Sequence, residues 1–205
     1  MRLLSLLAPP LCAACRMPAG SAGAVLCPEC RRSLEYLGPV PARLGGLHVW
    51  APVAYEGAAR AVVSRVKFHG AVALAAHMAA AIVANAPAGL LERPLVAVPS
   101  PAARSRRRGF CHAALLAQAL SARTGLPVAP VLERAGDTAR QVGRARSQRL
   151  RAPPAFRALE PGGDEVVLLD DVVTTGATLG SCRRALAAAG WRCTRAVAYA
   201  RTPVR

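Results

Sequence analysis

Two adjacent carboxylates followed by a loop of hydroxyls and small residues carry the clearest chemistry in this 205-residue chain: Asp170-Asp171-Val172-Val173-Thr174-Thr175-Gly176-Ala177-Thr178. The loop 174–178 has no bulky side chain to exclude an anion. Its backbone N–H groups and three hydroxyls can therefore converge on a phosphate at a helix N-terminus, expected near Gly176. A phosphate alone has no use for the acids. Two carboxylates beside it repel it unless they accept hydrogen bonds from sugar hydroxyls or hold a divalent metal. The combination points to a phosphate carried on a ribose, with Mg²⁺. A helix cap would need one Asp and not a tandem pair. An apolar strand ending in acids also describes a Walker B element, but the partner glycine-lysine loop is missing. The chain's one lysine, Lys67, follows Ser64-Arg65-Val66, which excludes an ATPase of that class.

A second cluster lies near the amino terminus. Cys12-Ala13-Ala14-Cys15 and Cys27-Pro28-Glu29-Cys30 form two C-x-x-C pairs. Four thiolates so spaced suit a structural Zn²⁺, with Cys12, Cys15, Cys27 and Cys30 as ligands. Disulfides are the alternative, disfavoured in a chain whose start, one Arg and a short apolar stretch broken by Pro9-Pro10, makes a poor secretory signal. A redox motif would stand alone at a helix start. The linker between the pairs is rich in Gly, Ala and Ser, so metal would have to hold it, although neither pair is followed by glycine. Cys111, Cys182 and Cys193 are scattered and read as small buried hydrophobes. Together these features predict a reduced, cytoplasmic protein.

The elements that must position these residues alternate. Residues 166–169 read as a buried parallel strand with the acids at its end, and the helix opened by the loop continues through 179–189 to Gly190. Further strands are expected at 47–55, 95–98, 128–132 and 193–200. Helices are expected at 57–68, at 71–86 and at 110–123, with a polar, arginine-dense stretch at 136–151. Strands alternating with helices predict an α/β fold with a mainly parallel sheet that binds ligands at the carboxyl ends of its strands. The zinc module is expected over 1–38 and the α/β domain over 39–205. By that rule the loop after Val98, with Ser100 and the basic run Arg104, Arg106, Arg107 and Arg108, meets the loop after Leu169. Arg106, Arg107, Arg108, Ser100 and Lys67 are the candidates for a second anion site, and a compact ammonium in a chain of 26 arginines marks Lys67 out.

Composition sets limits on partners. Lys and Arg number 27 against 11 acids, a net charge of +16, which suits a polyanionic partner, phosphorylated substrate or nucleic acid. Hydrophobic residues make up 53% and aromatics only 4%, so the core is expected to be Val, Leu and Ala. Few aromatics also leave little base stacking for single-stranded DNA. The most apolar window, 71–91, contains His77, Asn85 and Pro87 and reads as a packed helix, not a membrane span.

The loop resembles the PRPP-binding loop of type I phosphoribosyltransferases: apolar strand, two acids, two residues, then Thr-Thr-Gly-x-Thr. That resemblance implies Asp170 and Asp171 on the ribose hydroxyls, and Thr174, Thr175, Gly176, Ala177 and Thr178 around the 5′-phosphate of PRPP. Over 12–200 the chain resembles the ComF family of competence-associated phosphoribosyltransferase-like proteins. The shared features are the four cysteines, Val66-Lys67-Phe68-His69-Gly70, Val98-Pro99-Ser100-Pro101, Arg108-Gly109-Phe110, Gln141 with Arg149, and the acid–threonine loop. The family usually has Asn at Cys111 and often Asn near Ala152. Membership would imply a type I phosphoribosyltransferase fold and a link to DNA uptake in competence. Three functions are in view: Mg²⁺-dependent transfer of phosphoribose to an unknown acceptor, a non-catalytic single-stranded DNA-handling protein that keeps the PRPP-binding fold, and a ligand-sensing regulator. Relatives that salvage purines often carry Asp at the place of Thr174, and threonine is a poor proton carrier, so purine salvage is disfavoured. No other acid or histidine stands out in the sequence as a general base.

Overall fold

The structure, a computed structural model, describes residues 10–21, 23–69, 72–101, 109–135 and 154–203, the side chains of 67–69 and 72 excepted. In chain order its elements are α1 (Pro28–Arg32), β1 (Ala42–Leu44), β2 (Leu47–Trp50), β3 (Val53–Ala54), α2 (Gly57–His69), α3 (Val72–Asn85), β4 (Leu95–Ala97), α4 (His112–Thr124), β5 (Leu132–Arg134), β6 (Phe156–Ala158), β7 (Glu165–Val173), α5 (Ala177–Ala188) and β8 (Arg192–Arg201). The main sheet runs β1-β2-β8-β7-β4, with β3 also on β8. All its pairings are parallel except the β1–β2 hairpin.

β7 and β8 form the centre, and their apolar stretches are buried on both faces as a parallel sheet requires. Val166, Val167, Leu168 and Leu169 are all fully buried. Alternation sends Val167 and Leu169, with Val197 and Tyr199 of β8, into a core shared with α2, α3 and α4. Val166 and Leu168, with Ala196 and Ala198, face α5 and the short β5–β6 ribbon. The expectation of an aliphatic core holds on both sides: Trp50 and Tyr199 are the largest fully buried side chains, amid Leu, Ile, Met, Val and Ala.

Several boundaries differ from the sequence reading, each for a local reason. The strand expected at 47–55 is interrupted at 51–52, because Pro52 has no N–H to give the ladder. Its register survives the break, with Trp50 opposite Val197 and Val53 opposite Ala200. The strand expected at 166–169 continues through Asp170 and Asp171 to Val173, since polar side chains do not stop backbone pairing with β8. The strand expected at 128–132 begins later, at Leu132, and Val128 makes a lone parallel bridge to Leu95. The hairpin strand β1, the ribbon strand β6 and the single-turn α1 were not anticipated. Helix α4 ends where Gly125 adopts a left-handed φ of 73° and its N–H returns to Ser121 O at 2.8 Å. Residues 136–151 lie outside the described residues. No helix among those described is long and apolar enough to cross a membrane.

Described residues of the amino-terminal module pack into the main core. Cys12, Ala13, Leu26, Cys27 and Leu34 belong to the same apolar cluster as Trp50, Val62, Met78 and Tyr199. Within that cluster the Tyr199 hydroxyl and His77 Nε2 are buried without a hydrogen-bond partner among the described residues, the two rings edge-on at 6.4 Å. A buried hydroxyl without a partner is a net cost. Tyr199→Phe is therefore expected to leave the thermal midpoint unchanged or raise it, whereas Tyr199→Ala should lose about 3–5 kcal/mol of stability by urea titration.

Candidate functional site

At the carboxyl end of β7 the chain turns through 174–176 into α5. Gly176 makes that turn with φ 76° and stands as the N-cap of α5, a conformation that costs other residues about 1–2 kcal/mol. Thr174 and Thr175 are exposed, and Thr175 Oγ1 accepts the Ala177 N–H at 3.4 Å. Asp170, Val172, Val173 and the run 174–179 line one recess of about 50 Å³. A water needs roughly 10–15 Å³ in this measure, so the recess admits a small tetrahedral oxyanion and not a whole nucleotide.

The turn of the β1–β2 hairpin lies against this loop, backbone on backbone. A Cβ at Gly45 would stand 2.4 Å from Gly176 O and 2.8 Å from the Gly180 nitrogen; one at Gly176 would stand 2.7 Å from Leu44 Cβ. Only glycines permit this approach, and it holds the loop from outside.

The two carboxylates have different neighbours. Successive side chains of a strand point to opposite sides, and the neighbours follow that rule. Asp170 shares the recess with 174–179 on the α5 side, where its charge adds to desolvation in raising the thiol of Cys182 on α5. Asp171, only 3% exposed, faces α4, and its Oδ2 lies 3.6 Å from His112 Nε2. The structure thus brings Asp170, Thr174, Thr175, Gly176, Ala177 and Thr178 together and places Asp171 on the other face. Asp170 Oδ1 accepts the Asp171 N–H at 2.8 Å.

His112 was missed by sequence reasoning. It is the first residue of α4, and its Nδ1 lies 3.1 Å from Ser100 Oγ in the loop after β4. Ser100 Oγ is also 3.3 Å from Cys111 Sγ, so Cys111 makes polar contacts and is not the plain buried hydrophobe expected of it. Since β4 pairs parallel to β7, with Val98 N donating to Leu169 O at 2.9 Å, the two loops do share an edge. Ser100, His112 and Asp171 form a chain of hydroxyl, imidazole and carboxylate there. In the tautomer with the proton on Nε2, Ser100 donates to Nδ1 and the Nε2 proton faces Asp171, an arrangement that can relay a proton through the hydroxyl. The available signal was a histidine opening the helix that follows a strand's carboxyl end. Arg104, Arg106, Arg107, Arg108 and the side chain of Lys67 lie outside the described residues.

The four cysteines converge as expected. The sulfurs of Cys12, Cys15, Cys27 and Cys30 all lie within 4.8 Å of one another, and Cys15 and Cys27 are 3.7 Å apart. That is far beyond a disulfide bond, and all seven cysteines are free. A tetrahedral zinc with Zn–S of about 2.3 Å sets sulfurs roughly 3.8 Å apart, so the donor set fits that ion. The missing glycine after Cys15 is met by Arg16, which itself takes a positive φ of 69°. The second knuckle opens α1, with Cys27 as N-cap and Pro28 in the first turn. Although burial opposes it, amides of Cys15, Cys27 and Ala14 hold the Cys12 thiol down to about 6; burial and the neighbouring thiols push Cys30 up to about 12. A divalent ion would let all four ionise together.

Neither the protein-family models nor the curated proteins contain a match to this chain.

Two outcomes follow from this geometry. Elemental analysis should find one zinc per chain, and chelation or Cys27→Ser should lower the thermal midpoint of the whole protein in one cooperative transition, because the knuckles share the main core. Gly45→Ala, forcing a methyl toward Gly176, should cost about 1–3 kcal/mol in chemical denaturation, while Gly163→Ala, with nothing within 4 Å, should cost far less.

Proposed function

We propose that the chain binds PRPP at the recess of Asp170 and 174–178 and transfers its phosphoribosyl group to a small nucleophile. The observation that carries this reading is the shared recess itself: an acid able to take the ribose hydroxyls stands beside an anion cradle at the start of α5. The resemblance to type I phosphoribosyltransferases and to the ComF family agrees with it.

In this reading the 5′-phosphate is held by the amides and hydroxyls of the loop, and Asp170 accepts hydrogen bonds from the vicinal diol. The C1–oxygen bond to pyrophosphate breaks as a bond from C1 to the acceptor forms; the acceptor's proton passes to Ser100 Oγ as Ser100 gives its own to His112 Nδ1, and Asp171 faces the resulting imidazolium. Mg²⁺ bound with PRPP would supply charge neutralisation for the pyrophosphate. Asp170 is the carboxylate of the recess able to serve either the metal or the diol. The division between the two acids has a consequence for sequence-based assignments: Asp170 belongs to binding and Asp171 to the proton path.

The excess of arginine supports a second role in holding single-stranded DNA, with zinc keeping the fold that displays it. A steep fall of DNA affinity with salt is what such capture requires.

Calorimetry with PRPP and Mg²⁺ on single variants tests the main reading. Asp170→Asn should weaken PRPP binding by about tenfold or more, the loss expected for a charged hydrogen-bond acceptor. Asp171→Asn and His112→Gln should bind PRPP within a few-fold of the parent and lose pyrophosphate release instead. Undiminished binding by Asp170→Asn overturns the assignment.

A further inference from the structure

Among the described residues, and apart from the Tyr199 hydroxyl, three polar or charged side chains are buried: Asp171, Ser181 and Arg201. Asp171 faces His112, and Ser181 donates to Ala177 O at 3.2 Å and accepts from Arg184 at 2.9 Å. Arg201 differs. It is 7% exposed, no acid lies within ion-pair distance among the described residues, and its Nε has no hydrogen-bond partner. Desolvation lowers its pKa. An uncompensated buried guanidinium is costly, and every other described arginine is partly or fully exposed.

Arg201 opens onto a pocket of about 290 Å³ whose other walls are Leu37, Val40, Pro41, Ala42 and Pro203. Apart from the guanidinium, every lining residue is apolar. Ligand pockets generally run upward from roughly 300 Å³, so this one suits a single ring and not a nucleotide. A planar guanidinium matches a carboxylate through two parallel hydrogen bonds, and an apolar wall matches the ring that bears it.

The pocket adjoins the recess already described. Arg201 pairs in register with Val173, which lines the recess, and Thr202 N donates to Val173 O at 2.9 Å. β1 is a shared wall: Ala42 lines the pocket, while Leu44 and Gly45 press on Gly176.

From this we infer that the pocket over Arg201 is a binding site for a small aromatic or heteroaromatic carboxylate, its carboxylate on the Arg201 guanidinium and its ring against Leu37, Val40, Pro41, Ala42 and Pro203. Joined to the proposed phosphoribosyl transfer, on which this part rests, the occupant is the acceptor, and the acceptor class is an anionic single-ring nucleophile. A neutral nucleobase would leave the buried charge unpaired. The charge opposite Arg201 therefore selects the substrate.

Benzoate and its neutral isostere benzamide serve as probes, titrated by calorimetry and ligand-observed NMR against the full chain with its zinc. Benzoate should bind saturably and benzamide about tenfold or more weakly. Arg201→Met, which keeps the length and removes the charge, should weaken benzoate by roughly thirtyfold, as loss of one partner of a buried charge pair does. Ala42→Phe, which fills the pocket from the sheet edge and leaves Arg201 in place, should weaken it comparably, and it carries the test if Arg201→Met fails to fold. Absence of saturable benzoate binding to the parent overturns the inference, as does benzoate affinity unchanged in either folded variant. Titration with PRPP and Mg²⁺ separates the two readings. Benzoate binding through Arg201 in a protein that ignores PRPP keeps the carboxylate site and removes the transfer reaction. PRPP binding without benzoate binding does the reverse.

Discussion

Parallel pairing of β7 with β8 is the constraint on which the rest depends. Both strands are covered on two faces, so the alternation of side chains along them is enforced by burial and cannot slip by one residue without turning a hydrophobic row toward the wrong layer. Pairing continues past Leu169 to Val173 and Arg201, and the alternation extends as far as the two acids before it ends, Val172 packing on the α2–α4 cluster and Val173 on the α5 cluster. Two adjacent aspartates are thereby assigned to different layers. One is delivered to the glycine-threonine turn and the other to the histidine that opens α4. The same pairing carries Arg201 to the rim beside Val173. Asp170, Asp171 and the buried Arg201 are thus placed by one backbone ladder.

The metal knuckles belong to this arrangement more closely than a modular reading implies. Cys12 and Cys27 are buried in the cluster that covers the α2–α4 face of the sheet, and Leu26 and Leu34 beside them are core residues. The linker between the knuckles has too little apolar surface to fold alone, so a metal held by the four sulfurs would complement its docking on the core. Arg16, in a left-handed conformation without being glycine, shows how firmly the sulfur geometry dictates the local backbone.

Much of this was legible in the residues, for identifiable reasons. Val166 to Leu169 could be read as a central strand because a fully buried parallel strand is continuously apolar, and the C-x-x-C spacing fixes which sulfurs can converge. Helix α4 and its stop at Gly125, and α5 behind the small-residue turn, follow from local rules. What could not be read depends on tertiary position. The opposite facing of Asp170 and Asp171 required knowing that the strand does not end at its last apolar residue. β1 has only three residues and draws its pairing from a hairpin whose glycines look like an ordinary turn. His112 becomes chemically meaningful only because β4 and β7 are neighbours, and Arg201 is one arginine among 26 until its burial is known.

The glycine contact between the hairpin turn and the loop before α5 has a consequence for how the molecule is made. Gly45 comes early in the chain and Gly176 and Gly180 near its end, yet their main chains touch. A nascent polypeptide therefore cannot support the loop in this way until residue 180 has emerged, and a cut anywhere between 45 and 176 separates the two sides of the contact. Closure over so long a stretch of chain is a late and topologically demanding event.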